Sequence, residues 1–271
     1  MNTPQPRRVA FIGGGNMASA LIGGLVRAGV DPATLTVIEP FEAQRAQLAQ
    51  AFGVQAQATA DSRLAEAATV VWAVKPQLFA EAAAPCAPFI GGALQVSVMA
   101  GVRCASVTQA SGSARVVRAM PNTPALIGQG IAGLYATPAV DTAARAEVDT
   151  LFAPTGSAMW LPREEDLDAV TALSGSGPAY VFYFLEAMMQ AATEMGLSEA
   201  QGRLLAQQTF AGATALAAKS PLSPQALRAQ VTSKGGTTHA AITALEASGV
   251  KAAFVQALHA ARQRAEELGR G

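Results

Sequence analysis

The chain has 271 residues, 51% hydrophobic and 14% charged, a composition that can bury a substantial core and excludes a disordered protein. Its 19 Lys and Arg balance 19 Asp and Glu, which argues against a broad nucleic-acid footprint or a polybasic membrane anchor. Two cysteines (Cys86, Cys104) and two histidines (His239, His259) are too few for a disulfide framework or a Cys/His zinc site, so no metal is expected.

Taken in chain order, the N-terminus imitates a secretory signal, with Arg7-Arg8, an apolar stretch and Ala18-Ser19-Ala20. Gly13-Gly14-Gly15-Asn16 interrupts that stretch and argues against it. Val9–Ile12 is a predicted strand and Asn16–Ala28 a helix stopped by Gly29. Thr34–Glu39 reads as a second strand, and Phe41–Ala51 as a helix ending before Gly53. Thr69–Val74 is an unbroken apolar run, the pattern of a strand buried on both faces. Leu94–Val98 and Val116–Met120 are further strands, Asp141–Phe152 a helix, and Ala158–Leu161 a short apolar segment after Pro154-Thr155-Gly156. Ala82–Val102 and Ala119–Val140 lack charge over a length that would span a bilayer, about 20 residues. Pro85, Pro88, Gly91 and Gly92 break the first and Pro121, Asn122, Pro124 and Pro138 the second. In lipid such breaks leave backbone groups unpaired, so strands and loops are expected and the protein is read as soluble and cytoplasmic.

Beyond Arg163 the pattern turns helical: Glu164–Ser174, Pro178–Met195, Ser198–Lys219, Pro224–Thr232, Thr238–Ala247 and Lys251–Leu268. Two domains follow, an α/β Rossmann domain with a parallel sheet over 1–163 and an all-α domain over 164–271. Ala179–Met189 is apolar around its whole circumference and is expected to be buried on all sides, which a small helical domain achieves only against another chain. Val250, Phe254, Leu258, Ala261, Ala265 and Leu268 form a one-face stripe of the last helix.

The motif Gly13-Gly14-Gly15-Asn16-Met17-Ala18 fits G-x-G-x-x-G/A between a strand and a helix. Glycine there permits a tight turn and close approach of a pyrophosphate, and the helix N-terminus offers unpaired N–H groups. Glu39, at the end of the second strand, either accepts hydrogen bonds from the adenosine ribose and repels a 2′-phosphate, or is simply a solvated strand end. Arg45 is able to offset that repulsion, so the choice between NADH and NADPH stays open. Lys75-Pro76 lies at the carboxyl edge of the sheet, where a lysine either touches the cofactor or is simply solvated. In the helical half, Ser174-Gly175-Ser176-Gly177-Pro178 and Ser233-Lys234-Gly235-Gly236-Thr237-Thr238 are glycine-rich where propensity alone disfavours helix. The second reads as an anion cradle, or else as a plain helix stop with a hydroxyl cap.

Together with Ala73-Val74-Lys75-Pro76-Gln77 and Met120-Pro121-Asn122-Thr123-Pro124, these segments occur in the order found in pyrroline-5-carboxylate reductases, and the chain resembles that family from Arg8 to Leu268. The resemblance implies reduction of 1-pyrroline-5-carboxylate to L-proline by NADPH or NADH, the last step of proline synthesis. It implies a helical domain that interlocks with a second subunit, such dimers often assembling into decamers. Gly13, Gly14, Gly15, Asn16 and Met17 would then hold the pyrophosphate. Ala73, Lys75, Pro76, Met99 and Ala100 would line the ribose and nicotinamide. Ser233, Gly235, Gly236 and Thr237, with Ser176, would take the substrate, and Thr238 would face the ring nitrogen. Lys234 stands where many members carry proline, and Ala60 where many carry asparagine.

Hydride transfer to a cyclic imine needs position, charge compensation and exclusion of water more than a strong acid–base pair, which suits a chain poor in histidine. Thr238 is the candidate proton-delivering residue, whereas His239, about 100° further round a helix, reads as structural. A β-hydroxyacid dehydrogenase would carry a lysine in its interface helix, and Pro178–Met195 has none. A dinucleotide sensor has no use for an anion cradle, and a nucleic-acid binder would need a basic patch and stacking aromatics.

Overall fold

The computed structural model describes residues 8–270; Arg7, half of the apparent signal motif, lies outside them. The chain forms two compact units, one of residues 8–176 with 261–270 and one of residues 177–260. In the first, β1 (Val9–Ile12) leads into α1 (Asn16–Arg27), β2 (Leu35–Ile38) into α2 (Glu42–Phe52), and β3 (Thr69–Trp72) into the short helices α3 (Phe79–Ala83) and α4 (Ala87–Ile90). β4 (Leu94–Ser97), α5 (Cys104–Ser111), β5 (Val116–Met120), β6 (Gly130–Ala136), α6 (Thr142–Phe152) and β7 (Gly156–Trp160) complete it, and α7 (Asp166–Val170) follows. Among the described residues the strands build one sheet in the order β2-β1-β3-β4-β5-β6-β7.

The expected strands β1 to β5 run parallel, but the sheet continues through an antiparallel β5–β6 pair, and β7 is parallel to β6. β6 is a strand that the sequence pattern did not separate from the proline-rich stretch before it. Alternation along each strand divides the core into two layers. Phe11, Val37, Val71, Leu94, Val96 and Val117 pack with α1, α2 and α6, while Ala10, Ile12, Val70, Trp72 and Val116 pack with α3, α4 and α5. β3 and β4 are buried at every residue, β3 as its apolar run requires and β4 in spite of Gln95 and Ser97. Gln95, fully buried on β4, is satisfied: its Oε1 accepts from Trp72 Nε1 at 2.9 Å and its Nε2 donates to the carbonyls of Ile90 and Ala93.

The expected helix over Glu164–Ser174 is wound differently. After α7, Thr171–Gly175 makes a π-helical turn, closed by Ser176 N–H donating to the Thr171 carbonyl at 2.8 Å. The glycine-rich Ser174–Pro178 segment is thus not a loop; its small residues accommodate the wide turn.

The second unit holds α8 (Gly177–Glu194), α9 (Glu199–Lys219), α10 (Pro224–Gln230), α11 (Thr237–Ala247) and the larger part of α12 (Val250–Leu268). α9 opens on a capping box in which Ser198 and Gln201 exchange hydrogen bonds. Gly202 lets α9 approach α8 closely, since a Cβ there would stand 2.9 Å from that of Ala192. Tyr180 and Phe184 of α8 meet Phe254 of α12 edge-on. Within one chain α8 is not buried on all sides, the case for which its full burial was expected to need another chain. Phe182 is 57% and Tyr183 70% exposed, because α9 and Phe254 of α12 cover only part of its circumference. The α12 stripe is the least exposed face of its helix except at Leu268. No helix among the described residues is long and apolar enough to cross a membrane.

Candidate active site

The strand order reverses between β1 and β3, and the carboxyl ends of β1 to β4 emerge along one edge, where open α/β sheets bind ligands. Gly13–Met17 follows β1, Glu39 follows β2, Ala73–Pro76 follow β3, and Met99 and Ala100 follow β4. The sheet therefore gathers every residue that sequence reasoning assigned to the cofactor.

The glycine loop is shaped from within. Gly13 has φ +96°, and a Cβ there would stand 2.7 Å from the Ala73 carbonyl oxygen, so only glycine fits. Gly13 N–H donates to the Ile38 carbonyl at 2.8 Å. Gly14 N–H donates to Glu39 Oε2 at 2.8 Å, and its carbonyl accepts from Gln44 Nε2 at 2.6 Å and Ser19 Oγ at 3.3 Å. Gly15, by contrast, has nothing within 4 Å of where a Cβ would stand. It caps α1 with no side-chain partner, so the first N–H groups of the helix are left without a side-chain acceptor. Close approach and unpaired donors at a helix N-terminus are what a pyrophosphate needs. Ala18, wholly buried, closes the α1–sheet contact.

Beside the loop lies a cleft of about 450 Å³ lined by Ile12, Ile38, Pro40, Phe41, Ala60 and Val74 among others. It is apolar and adjoins Gly13, so it suits an adenine ring. Ala60 contributes only a methyl where an asparagine would offer an amide. Lys75 and Pro76 are exposed at the sheet edge, and Met99 is buried with its N–H donating to Ser97 Oγ at 3.3 Å.

Sequence reasoning missed an ionic cluster behind this edge. Arg118, in mid-strand on β5, pairs with Glu164 at 2.7 Å, and the same Glu164 Oε1 accepts from Cys104 N–H at 2.8 Å. Arg103 pairs with Asp168 at 2.8 Å and reaches the Gly269 carbonyl. The signal for it was an arginine inside the apolar run Val116–Met120.

In the second unit, the loop over Ser233–Gly236 turns sharply: Gly235 has φ +76°, and Gly236 N–H donates to the Ser233 carbonyl at 3.0 Å. Gly236 caps α11 without a side-chain partner, leaving the N–H groups of Thr237, Thr238 and His239 unpaired within the helix. Ser233, Thr237 and the unpaired amides thus lie around a helix N-terminus, a geometry that suits an anion. Thr238 is half-buried, one turn-position inside the helix, and His239 is exposed. Ser176 closes the π turn, in the first unit.

A model of coenzyme F420-dependent NADP oxidoreductases matches residues 8–101, and a model of the pyrroline-5-carboxylate reductase dimerisation domain matches residues 164–268. A pyrroline-5-carboxylate reductase of Pseudomonas aeruginosa is 44% identical over 270 residues, covering 99% of this chain and 98% of that one. The solved structure of a pyrroline-5-carboxylate reductase from Coxiella burnetii superposes with a TM-score of 0.88 at 36% identity, covering 97% of this chain and 98% of its own. The pyrroline carboxylate reductase of Plasmodium falciparum, solved with NADP bound, gives 0.88 at 27% identity over 98% and 99% of the two chains. End-to-end coverage at this identity, on a fold whose glycine loop and second helix N-terminus are both present, makes the chain a member of the pyrroline-5-carboxylate reductase family.

Proposed function

We propose that this chain reduces 1-pyrroline-5-carboxylate to L-proline, with its substrate held at Ser233–Thr238. The observation that carries the reading is that loop, because a Rossmann domain alone would suit many reductases. A second, unpaired helix N-terminus flanked by hydroxyls suits a small carboxylate.

Gly13–Met17 bind the cofactor pyrophosphate, and Ala73, Lys75, Pro76, Met99 and Ala100 line its ribose and nicotinamide. NADPH or NADH, when bound, supplies the hydride that reaches the carbon of the cyclic C=N bond. Ser233, Gly235, Gly236 and Thr237 hold the carboxylate, Ser176 adds a hydroxyl to the substrate site, and Thr238 Oγ1 hydrogen-bonds the ring nitrogen and helps deliver its proton. Orientation of the imine and compensation of its carboxylate are the chain's main contributions.

Functionally the chain divides into a dinucleotide-binding domain, 1–163, and a substrate and dimerisation domain, 164–271, a division supported by the residue at which the dimerisation model begins. A second copy of the chain covers α8 and α9, whose Phe182, Tyr183, Leu204 and Leu205 are more than half exposed in one chain. Two unpaired thiols, Cys86 and Cys104, fit a reducing, cytoplasmic setting.

The test is the rate of NADPH and NADH oxidation, in parallel, with 1-pyrroline-5-carboxylate. Rapid turnover with either is expected. Tight cofactor binding without turnover would refute the substrate and leave a dinucleotide sensor.

A further inference from the structure

An acid at the end of the second strand ordinarily reads the adenosine ribose. In this chain each of its two oxygens already accepts a backbone hydrogen bond. Glu39 is only 6% exposed; its Oε2 accepts from Gly14 N–H at 2.8 Å and its Oε1 from Phe41 N–H at 2.9 Å. The stem of the side chain packs on the same glycine, since a Cβ on Gly14 would stand 3.2 Å from Glu39 Cγ. Gln44, on α2, holds the other side of that residue through the Gly14 carbonyl. Arg45 Nη1 donates to the backbone carbonyls of Glu39 and Pro40, at 2.9 and 2.7 Å, which ties the end of β2 to α2.

We infer that Glu39 is a positioning residue for the glycine loop, not a reader of the ribose, and that discrimination between NADH and NADPH does not run through it. The inference rests on the cofactor assignment made above for Gly13–Met17. Three consecutive glycines are costly to order, and a loop free to wander would offer its amides to a pyrophosphate only part of the time. Glu39 and Gln44 grip the N–H and the C=O of Gly14 together, one from the strand end and one from the next helix. That grip holds Gly15, Asn16 and Met17 ready before the cofactor arrives. The carboxylate charge is taken up by two backbone amide dipoles and directed into the loop.

The test is the Kd of NADH and of NADPH, read from nicotinamide fluorescence with the full-length protein, for the wild type, Glu39→Ala, Glu39→Gln and Gln44→Ala. Binding of either cofactor by the wild type, measured first, checks the underlying site assignment separately. Loss of the grip should weaken both cofactors by a common factor in Glu39→Ala, about five- to thirty-fold, with their ratio held within about twofold. Glu39→Gln keeps one acceptor oxygen and should weaken both less, without tightening NADPH; Gln44→Ala should likewise weaken both together. A loss confined to NADH, a tightening of NADPH in Glu39→Gln, or unchanged binding of both in Glu39→Ala would each overturn the inference.

Discussion

Two alanine substitutions two residues apart should separate folding from cofactor binding. Gly13 sits at φ +96°, where a side chain costs roughly 1–2 kcal/mol. Its Cβ would also lie 2.7 Å from the oxygen and 2.8 Å from the carbon of the Ala73 carbonyl, backbone atoms that yield only if the end of β3 moves. Forcing that shift adds on the order of 1–3 kcal/mol. Gly13→Ala should therefore lower Tm by roughly 5–15 °C, at about 2–4 °C per kcal/mol for a chain of this size. Gly15 is the opposite case, with φ −68° and no atom within 4 Å of the added methyl. Alanine is a poorer N-cap than glycine, but it removes roughly 0.4–1 kcal/mol of unfolded-state freedom, and the two effects offset. Gly15→Ala should leave Tm within about 2 °C of wild type yet weaken the cofactor about tenfold or more, near 1.4 kcal/mol, because its methyl fills the space a phosphate must enter. Thermal unfolding by circular dichroism and a fluorescence titration with NADPH measure the two quantities. A Gly15→Ala protein that binds NADPH like wild type, or a Gly13→Ala protein with an unshifted Tm, would refute the reasoning.

Thr238→Ala should lower kcat by ~10²–10⁴-fold with Tm unchanged, and Thr238→Ser should restore most of it; unaffected turnover would remove Thr238 from proton delivery. Gly236→Val drives a side chain toward Ser233 Oγ, 2.7 Å from the Cβ position, and should raise KM for the imine while the Kd of NADPH stays put. If neither changes, the carboxylate binds elsewhere. Burial pushes the Cys86 thiol up to about 11, and burial with Glu164 close by pushes Cys104 up to about 12, from an ordinary 9.0. Folded thiols therefore stay protonated where unfolded ones ionise, so their contribution is full below pH 9 and is lost as pH rises toward 12. A thiol reagent at pH 8 should find no reactive cysteine in the native chain and both after unfolding. Arg118→Met strands Glu164, only 18% exposed in its side chain, and should cost about 3 kcal/mol in urea unfolding, the lower end for a broken buried pair. A loss under about 1 kcal/mol would mean that the pair behaves as a surface bridge.

The strands β1 to β5, α1, α2 and the helices α8 to α12 were legible because each carries a local period and a local stop signal. β6 was not. Gly130-Ile131-Ala132-Gly133 has weak strand propensity and owes its form to pairing with β5 and β7. Its glycines answer distant neighbours: a Cβ on Gly133 would stand 2.9 Å from Val170, and one on Gly130 2.9 Å from the Thr155 carbonyl oxygen. The π turn over Thr171–Gly175 was equally hidden, since Ser-Gly-Ser-Gly-Pro is chemically the composition of a loop.

By itself the sequence determined the parallel α/β order, the glycine loop with its buried Ala18, the hydroxyl-flanked second helix N-terminus and the apolar α8 that wants a partner. All of these depend on residue types within a few positions of one another. Only the tertiary structure decided that Glu39 turns into the loop, that Gln44 holds the other side of Gly14, and that Arg118 finds Glu164. Those outcomes depend on which atoms distant segments bring within hydrogen-bond range, and a buried charge settles on whatever donors it finds there.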